Sequence, residues 1–330
     1  HHDYIQHAIA RAQDGDVILL QPGVYDEKIR FAGRKVTITS SDPEDPAVRA
    51  ATVIAGAGPL VTFADGETAD SLFTGFTVAG GTFGILCNGA KPTVSYCDVM
   101  DNCAAGIKVW GGAEPVVSCC DISANRIGME MWADVSGRRI QRNYGTFTNC
   151  LITGNRESGV LGGYPNLVNC TIADNFGLGV SSVAPVLTNC IVYFNNGDGV
   201  NLDSRQQATV TYCDIQGGWP GEGNIDADPL FIARGQWSES SGLDAVWTPG
   251  DYHLSSEGWY WDTLQGSWTW GDQTSPCIDA GDPSMPLGQE ASCEVGDPLS
   301  ERAVNGRINI GAYGGTVEAS LASRNTAYGQ

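Results

Sequence analysis

The chain is short of lysine: four among 330 residues, beside fourteen arginines and 38 aspartates and glutamates. The resulting net charge of −20 leaves no broad cationic surface. It argues against nonspecific binding to nucleic acid or anionic membranes, because the long-range field repels both. No apolar run is long enough for a membrane-spanning helix. A signal peptide is also missing, and the His-His start reads as trimmed or tagged. Eleven cysteines are present, yet none sits in a CxxC or Cys/His spacing, so a zinc site is not expected. No motif for an organic cofactor occurs.

What the chain has in place of these is a repeat. Six segments share one form: Cys97-Asp-Val, Cys120-Asp-Ile, Cys150-Leu-Ile, Cys170-Thr-Ile, Cys190-Ile-Val and Cys213-Asp-Ile. In the first five an asparagine follows five positions later: Asn102, Asn125, Asn155, Asn175 and Asn195. A glycine and an apolar residue come next, as in Gly128-Met129 and Gly179-Val180. Intervals of 20, 23 and 30 residues, rich in short β-branched runs, are those of a parallel β-solenoid. Each coil divides into three short strands, giving an all-β, three-sheet solenoid. Alternation turns Val94, Val117, Phe147, Leu167, Leu187 and Val210 inward, together with the cysteines and the apolar residues two places after them. Stacked inward thiols lie parallel, so disulfides within the row are not expected. Cys277 and Cys293, outside the repeat, are the pair open to a bridge. The asparagine row reads as structural, satisfying backbone at a corner.

Helical spacing over Tyr4 to Gln13 predicts a helix that caps the first coil, within residues 1–16. The coils run over 17–217, with the Pro/Asp-rich stretch from Ser41 to Pro46 as a surface loop. Beyond them, 218–330 reads as an irregular C-terminal cap with room for final coils. It is rich in tryptophan, holding seven of the nine within 219–270. These rings either extend a glycan cleft or supply a core for a cap otherwise poor in aliphatic residues, and the core is the favoured reading.

Three stretches carry a family likeness: Gly15-Asp16-Val17-Ile18-Leu19-Leu20-Gln21-Pro22-Gly23-Val24-Tyr25, the N-C-x-I-x-x-N-x-x-x-G-V coils, and the S-P-C-I-D-A-G-D-P and I-N-I-G-A-Y-G-G-T tail. Together they resemble secreted bacterial right-handed parallel β-helix proteins of the pectate-lyase-like superfamily. The resemblance spans nearly the whole chain and implies the fold and an extracellular or periplasmic location. It does not select an activity, since the superfamily includes polysaccharide lyases, glycoside hydrolases, epimerases, esterases and noncatalytic adhesins. No subfamily motif is matched, so candidate residues come from their placement.

On the third strand of each coil, Lys108 is expected beside Glu130, and Trp110 beside Trp132, because neighbouring strands lie about 4.8 Å apart. Exposed tryptophans offer stacking surfaces for sugar rings. Residues 101–160 balance six basic side chains against six acidic ones, so the rest of the chain carries the whole net charge. Arg138, Arg139 and Arg142 in that island are candidates to hold an anionic ligand, since the guanidinium fork matches a carboxylate. Lys108 is a candidate base, or simply the partner of Glu130. Tyr144 and Tyr164 are candidate proton donors, with Tyr164 also placed to bind substrate. Asn201 and Asp203 continue the outward rows as further binding candidates. Asp98 and Asp121 should stack as neighbouring carboxylates that share a proton or hold a cation, calcium being the ion such oxygens favour. Asp226, Asp228, Asp279 and Asp282 are further calcium candidates, or turn-shaping residues.

The leading expectation is a secreted, monomeric enzyme that cleaves an acidic, uronate-containing polysaccharide by β-elimination. Two alternatives stand beside it. One is a glycoside hydrolase that uses Glu130 with Asp203, or Asp98 with Asp121. The other is a noncatalytic glycan-binding or cell-surface β-helix.

Overall fold

The computed structural model describes residues 4–132, 141–196, 200–202, 208–238, 245–292 and 305–322. Three parallel sheets run the length of a solenoid of about eight turns, with nine, nine and eight strands. The first sheet begins at Val17–Leu20 and ends at Thr209–Thr211. The second runs from Gly23–Tyr25 to Asp214–Ile215, and the third from Ile29–Arg30 to Val200–Leu202. Each chain turn visits the three sheets in that order, so residues one repeat apart become neighbours.

The inward rows follow the sequence pattern. Val94, Val117, Phe147 and Leu167 are fully buried, as are Cys97, Cys150, Cys170 and Cys190. The thiols are free, and each of the six in the row hydrogen-bonds to the carbonyl two residues before it. They serve as small apolar fillers.

Two corners explain the two polar motifs. The residue before each inward cysteine is left-handed: Asn149, Asn169 and Asn189 have φ of 54°, 49° and 54°. Asparagine tolerates that region better than most side chains. At the next corner, Asn102, Asn125, Asn155, Asn175 and Asn195 form a continuous buried ladder. Each of the first four donates its side-chain amide to the next Oδ1, at 2.8–3.2 Å. The same Oδ1 atoms accept the backbone N–H of the preceding asparagine. The glycine that follows is required by crowding. A Cβ on Gly128 would fall 2.5 Å from the Gly159 carbonyl and 2.9 Å from Asn155 Nδ2.

The N-terminal helix is Tyr4–Arg11, with Ile5 and Ile9 buried on the first coil. Its open N–H groups are met by buried Glu27, which accepts from Tyr4, Ile5 and Gln6. The loop expected from Ser41 to Pro46 leads into a short helix, Pro46–Ala51, that pattern reading missed. Asp45 caps it, accepting from Ala47 N, and Pro46 opens it.

The C-terminal region holds three two-stranded antiparallel pairs: Phe231–Ala233 with Asp251–Leu254, Gln236–Trp237 with Trp247–Thr248, and Tyr260–Asp262 with Ser267–Thr269. Among the described residues, a bridge from Asp214 to Ile225 prolongs the coils. The rest turns back along the side of the solenoid. Asn149 and Asn169 donate to the carbonyl of Gly314, and Asn189 accepts from Asp282 N. The I-N-I-G-A-Y-G-G-T tail thus docks on the asparagine corner of the coils. Buried Asp174 fastens a second point, accepting from Arg234 and from the Tyr252 hydroxyl. Cys277 is a free thiol 3.1 Å from Asp214 Oδ2, while Cys293 lies outside the described residues.

Candidate functional site

Lys108 and Glu130 meet as the register requires, with Nζ 2.6 Å from Oε1 and both side chains largely covered. The ammonium also lies 5.2 Å from the centroid of the Trp110 ring. This is the cross-strand salt bridge, and Lys108 must leave Glu130 before it can take a proton. Trp132 lies two residues beyond the strand Ile127–Glu130 and is 50% exposed. The strand ends at Glu130, so the ladder register that pairs Lys108 with Glu130 does not extend to Trp110 and Trp132.

The next coil starts with Tyr144–Thr148, which pairs with Tyr164–Val168. Tyr144 lies directly opposite Tyr164, with ring centroids 5.2 Å apart. The Arg142 guanidinium sits 5.1 Å over the Tyr164 ring. A hydrogen bond to Tyr144 raises the Arg142 pKa further above its ordinary value. Buried Asn143, which no periodicity singled out, ties these parts together. Its Oδ1 accepts from Gly112 N just past Trp110, and its amide donates to the Trp132 carbonyl. Lys108, Trp110, Glu130 and Trp132 thus stand toward the ends of the third-sheet strands, and Arg142, Tyr144 and Tyr164 at the start of the first-sheet strands, with Asn143 joining the two backbones. Arg138, Arg139 and Asp203 lie outside the described residues. Asn201 is in register with Ser181 on the third sheet, with its backbone alone described.

Asp98 and Asp121 are also neighbours in register, on the outer face of the second sheet. Arg49, from the short helix, lies 3.4 Å from Asp98 Oδ1. Burial, and then the charge of Asp98, pushes Asp121 up to about 7. Burial also raises Asp98, against the pull of Arg49. Ser123 pulls the other way on Asp121, as Arg49 does on Asp98, each through a hydrogen bond that favours the charged carboxylate. A divalent cation would have to displace Arg49, and among the described residues no three metal-binding side chains gather. The donor set does not fit a calcium centre. Asp228 and Asp282 shape turns, accepting from Leu230 N and Ser284 N; Asp279 holds a distant segment through Gly306 N and Arg307 N, and Asp226 accepts from the Tyr193 hydroxyl.

These carboxylates give the fold a defined pH response. Burial raises Asp214 to about 6, and Asp279 and Glu290 also shift upward for the same reason. A raised carboxylate binds more protons folded than unfolded, so its contribution is present at low pH and lost as pH rises through the folded value. For Asp214 and Asp121 that loss begins near the unfolded carboxylate value of about 4 and is complete above their folded values, about 6 and about 7. His253 adds the same sign: burial opposes its charge, but hydrogen bonds to Asp251 and Glu318 raise it overall. Melting temperature is expected to rise from about pH 8 to about pH 5, by several degrees for a few kcal/mol. Asp121→Asn should flatten that rise. A melting temperature that falls over the same interval would contradict this assignment.

Residues 83–227 match the family model described as the right handed beta helix region. A search of curated proteins finds no match. Among solved structures, the chain is similar to an alginate lyase from Paenibacillus sp. str. FPU-7, at 14% identity and a TM-score of 0.40. That alignment covers 62% of this chain and 96% of the other. It is also similar to pectate lyase Pel9A, at 16% identity and a TM-score of 0.38, covering 93% and 89% of the two chains. No helix is long and apolar enough to cross a membrane among the described residues. With three parallel sheets, a stacked inner core and the family match over its central coils, this chain folds as a right-handed parallel β-helix.

Proposed function

We propose that this is an extracellular enzyme that cleaves a uronate-containing polysaccharide by β-elimination at the corner between the third and first sheets. The observation that carries the reading is Arg142 set over Tyr164 beside Tyr144, next to half-exposed Trp132, on a chain that is acidic elsewhere. An anionic sugar is drawn to that cation, and the rings offer faces for its pyranose carbons. Arg142 pairs with the uronate carboxylate and stabilises the enolate that forms there. Lys108, released from Glu130, takes the proton from C5. The electron pair forms the C4–C5 double bond, the C4–O bond breaks, and Tyr144 or Tyr164 protonates the leaving oxygen.

A second reading rests on Asp121. A carboxyl held protonated near neutral pH beside Asp98, itself faced by Arg49, is the arrangement of an acid with a charged partner. On that reading the chain is a glycoside hydrolase.

The test incubates the intact chain with polygalacturonate, alginate, glycosaminoglycans and neutral glycans, with and without calcium. Ultraviolet absorbance of unsaturated uronate and reducing ends are followed together. Both should rise on one polyuronate. Reducing ends without absorbance would transfer the assignment to Asp98 and Asp121, and silence on every glycan would leave a binding protein.

A further inference from the structure

The tryptophans of the C-terminal region fall into two groups that behave differently. Trp247 packs against Gly154 and Gly235, and its partner Trp237 is covered by Arg156 at 4.4 Å. These rings fasten the segment to the coils, as a core role requires. The hairpin Tyr260–Asp262 with Ser267–Thr269 is built another way. Trp261 and Trp268 lie directly opposite one another, with centroids 5.8 Å apart and planes at 73°. Trp259 and Trp270, one alternation step outward, make a second edge-to-face pair at 5.1 Å and 83°. Strand alternation puts all four on one face.

Only Trp259 is buried, at 6%, anchored against Leu321. Trp270 is 64% exposed, and Trp261 and Trp268 are partly open. An indole that is mostly in water contributes little to a core, yet this one is held in a fixed orientation by an anchored neighbour. A fixed, open ring loses little conformational freedom when a ligand covers it, which favours binding.

The charge pattern selects the ligand. No lysine or arginine occurs from residue 235 to 301, while twelve aspartates and glutamates do, among them Glu257, Asp262 and Asp272 around the hairpin. A polyanion is repelled here, as are anionic lipid surfaces. Apart from Leu264 at the tip, the hairpin's apolar surface is aromatic, and strand alternation gives its opposite face Tyr260, Asp262, Ser267 and Thr269. Flat rings flanked along the chain by Glu257 and Asp272 suit a pyranose, which presents C–H faces and hydroxyl edges.

We infer that this hairpin is a binding site for neutral polysaccharide, separate from the corner that holds Arg142. The site tethers the protein to an uncharged glycan matrix through Trp270, Trp261 and Trp268.

The experiment is affinity electrophoresis of the intact chain in gels cast with cellulose derivatives, xylan, galactan or mannan, with polygalacturonate and alginate gels alongside. At least one neutral glycan should retard the protein. Trp270→Ala should weaken that retardation at least tenfold, while leaving the melting temperature and any cleavage of polyuronate unchanged. Arg142→Ala should leave neutral-glycan retardation intact, so failure here and failure of the lyase reading are told apart. No retardation by any neutral glycan overturns the inference. So does retardation that survives in both Trp270→Ala and Trp261→Ala, as would a hairpin that engages protein alone.

Discussion

Lys108→Arg is expected to keep the protein folded and to lower its turnover of polyuronate about 10³-fold, the scale of a lost general base. Arginine can still reach Glu130, so the covered ion pair on the third sheet survives and the melting temperature should hold. What disappears is a group able to give up its proton: the guanidinium stays charged at any working pH, whereas the lysine amine is free to act once it leaves Glu130. The variant separates two roles that truncation would confuse. Lys108→Ala would also strand Glu130, whose carboxylate is only 17% exposed, and any loss of rate could then be a loss of structure. Arg142→Ala complements it. On an exposed arginine the fold should be untouched; KM should rise because the guanidinium binds the ground-state carboxylate, and kcat should fall as well because it holds the more highly charged enolate more strongly. If Lys108→Arg retains full turnover with unsaturated product still forming, Lys108 is a structural partner of Glu130 and the base lies elsewhere.

Asn155→Ala should lower stability by about 3 kcal/mol or more, because the change strands several buried groups at once. Asn155 sits at the centre of the ladder with no exposed surface. Its Oδ1 accepts from Asn125 N at 3.1 Å and from Asn125 Nδ2 at 3.2 Å. Its own amide donates to Ile122 O at 3.0 Å and to Asn175 Oδ1 at 2.8 Å. Alanine leaves all four partners facing a small void, and coils on both sides lose their link. Urea denaturation followed by circular dichroism measures the change, and a shift in slope would show the solenoid dividing into parts. The end of the ladder provides the control. Asn195→Ala removes fewer inter-coil bonds within the described structure and should cost less. Equal losses at the two positions would mean that the ladder is not cooperative.

The candidate site was readable in the sequence wherever it rides on the repeat. Lys108 and Glu130 follow their coil glycines at the same offset, so stacking brings them together. Tyr144 and Tyr164 are twenty residues apart and meet for the same reason. The repeat does not carry the pairing of Trp110 with Trp132, because the third-sheet strand ends at Glu130 and the chain leaves the repeat there. Asn143 lies just before a strand, off every periodic row, and nothing local marks its bonds to Gly112 and Trp132. Arg49 is similar: its helix belongs to an irregular insertion, so its approach to Asp98 depends on where that insertion folds.

By itself, the sequence determined the solenoid, its inward rows, the asparagine ladder and the neighbours within each sheet. One short-range rule, repeated coil after coil, sets them all: what stands at one offset stacks on what stands at the same offset a turn away. Tertiary structure decided the path of the C-terminal region, which turns back and lies against the second sheet. That path rests on contacts between residues 60 to 165 positions apart, such as Asp174 with Arg234 and Asn149 with Gly314. It also buries Asp214 against Cys277. Such pairs have no period, and the chemistry of an aspartate or an asparagine is the same whether or not a distant segment covers it. Only the folded arrangement says which of them leave water, and with that which carboxylates hold their protons near neutral pH.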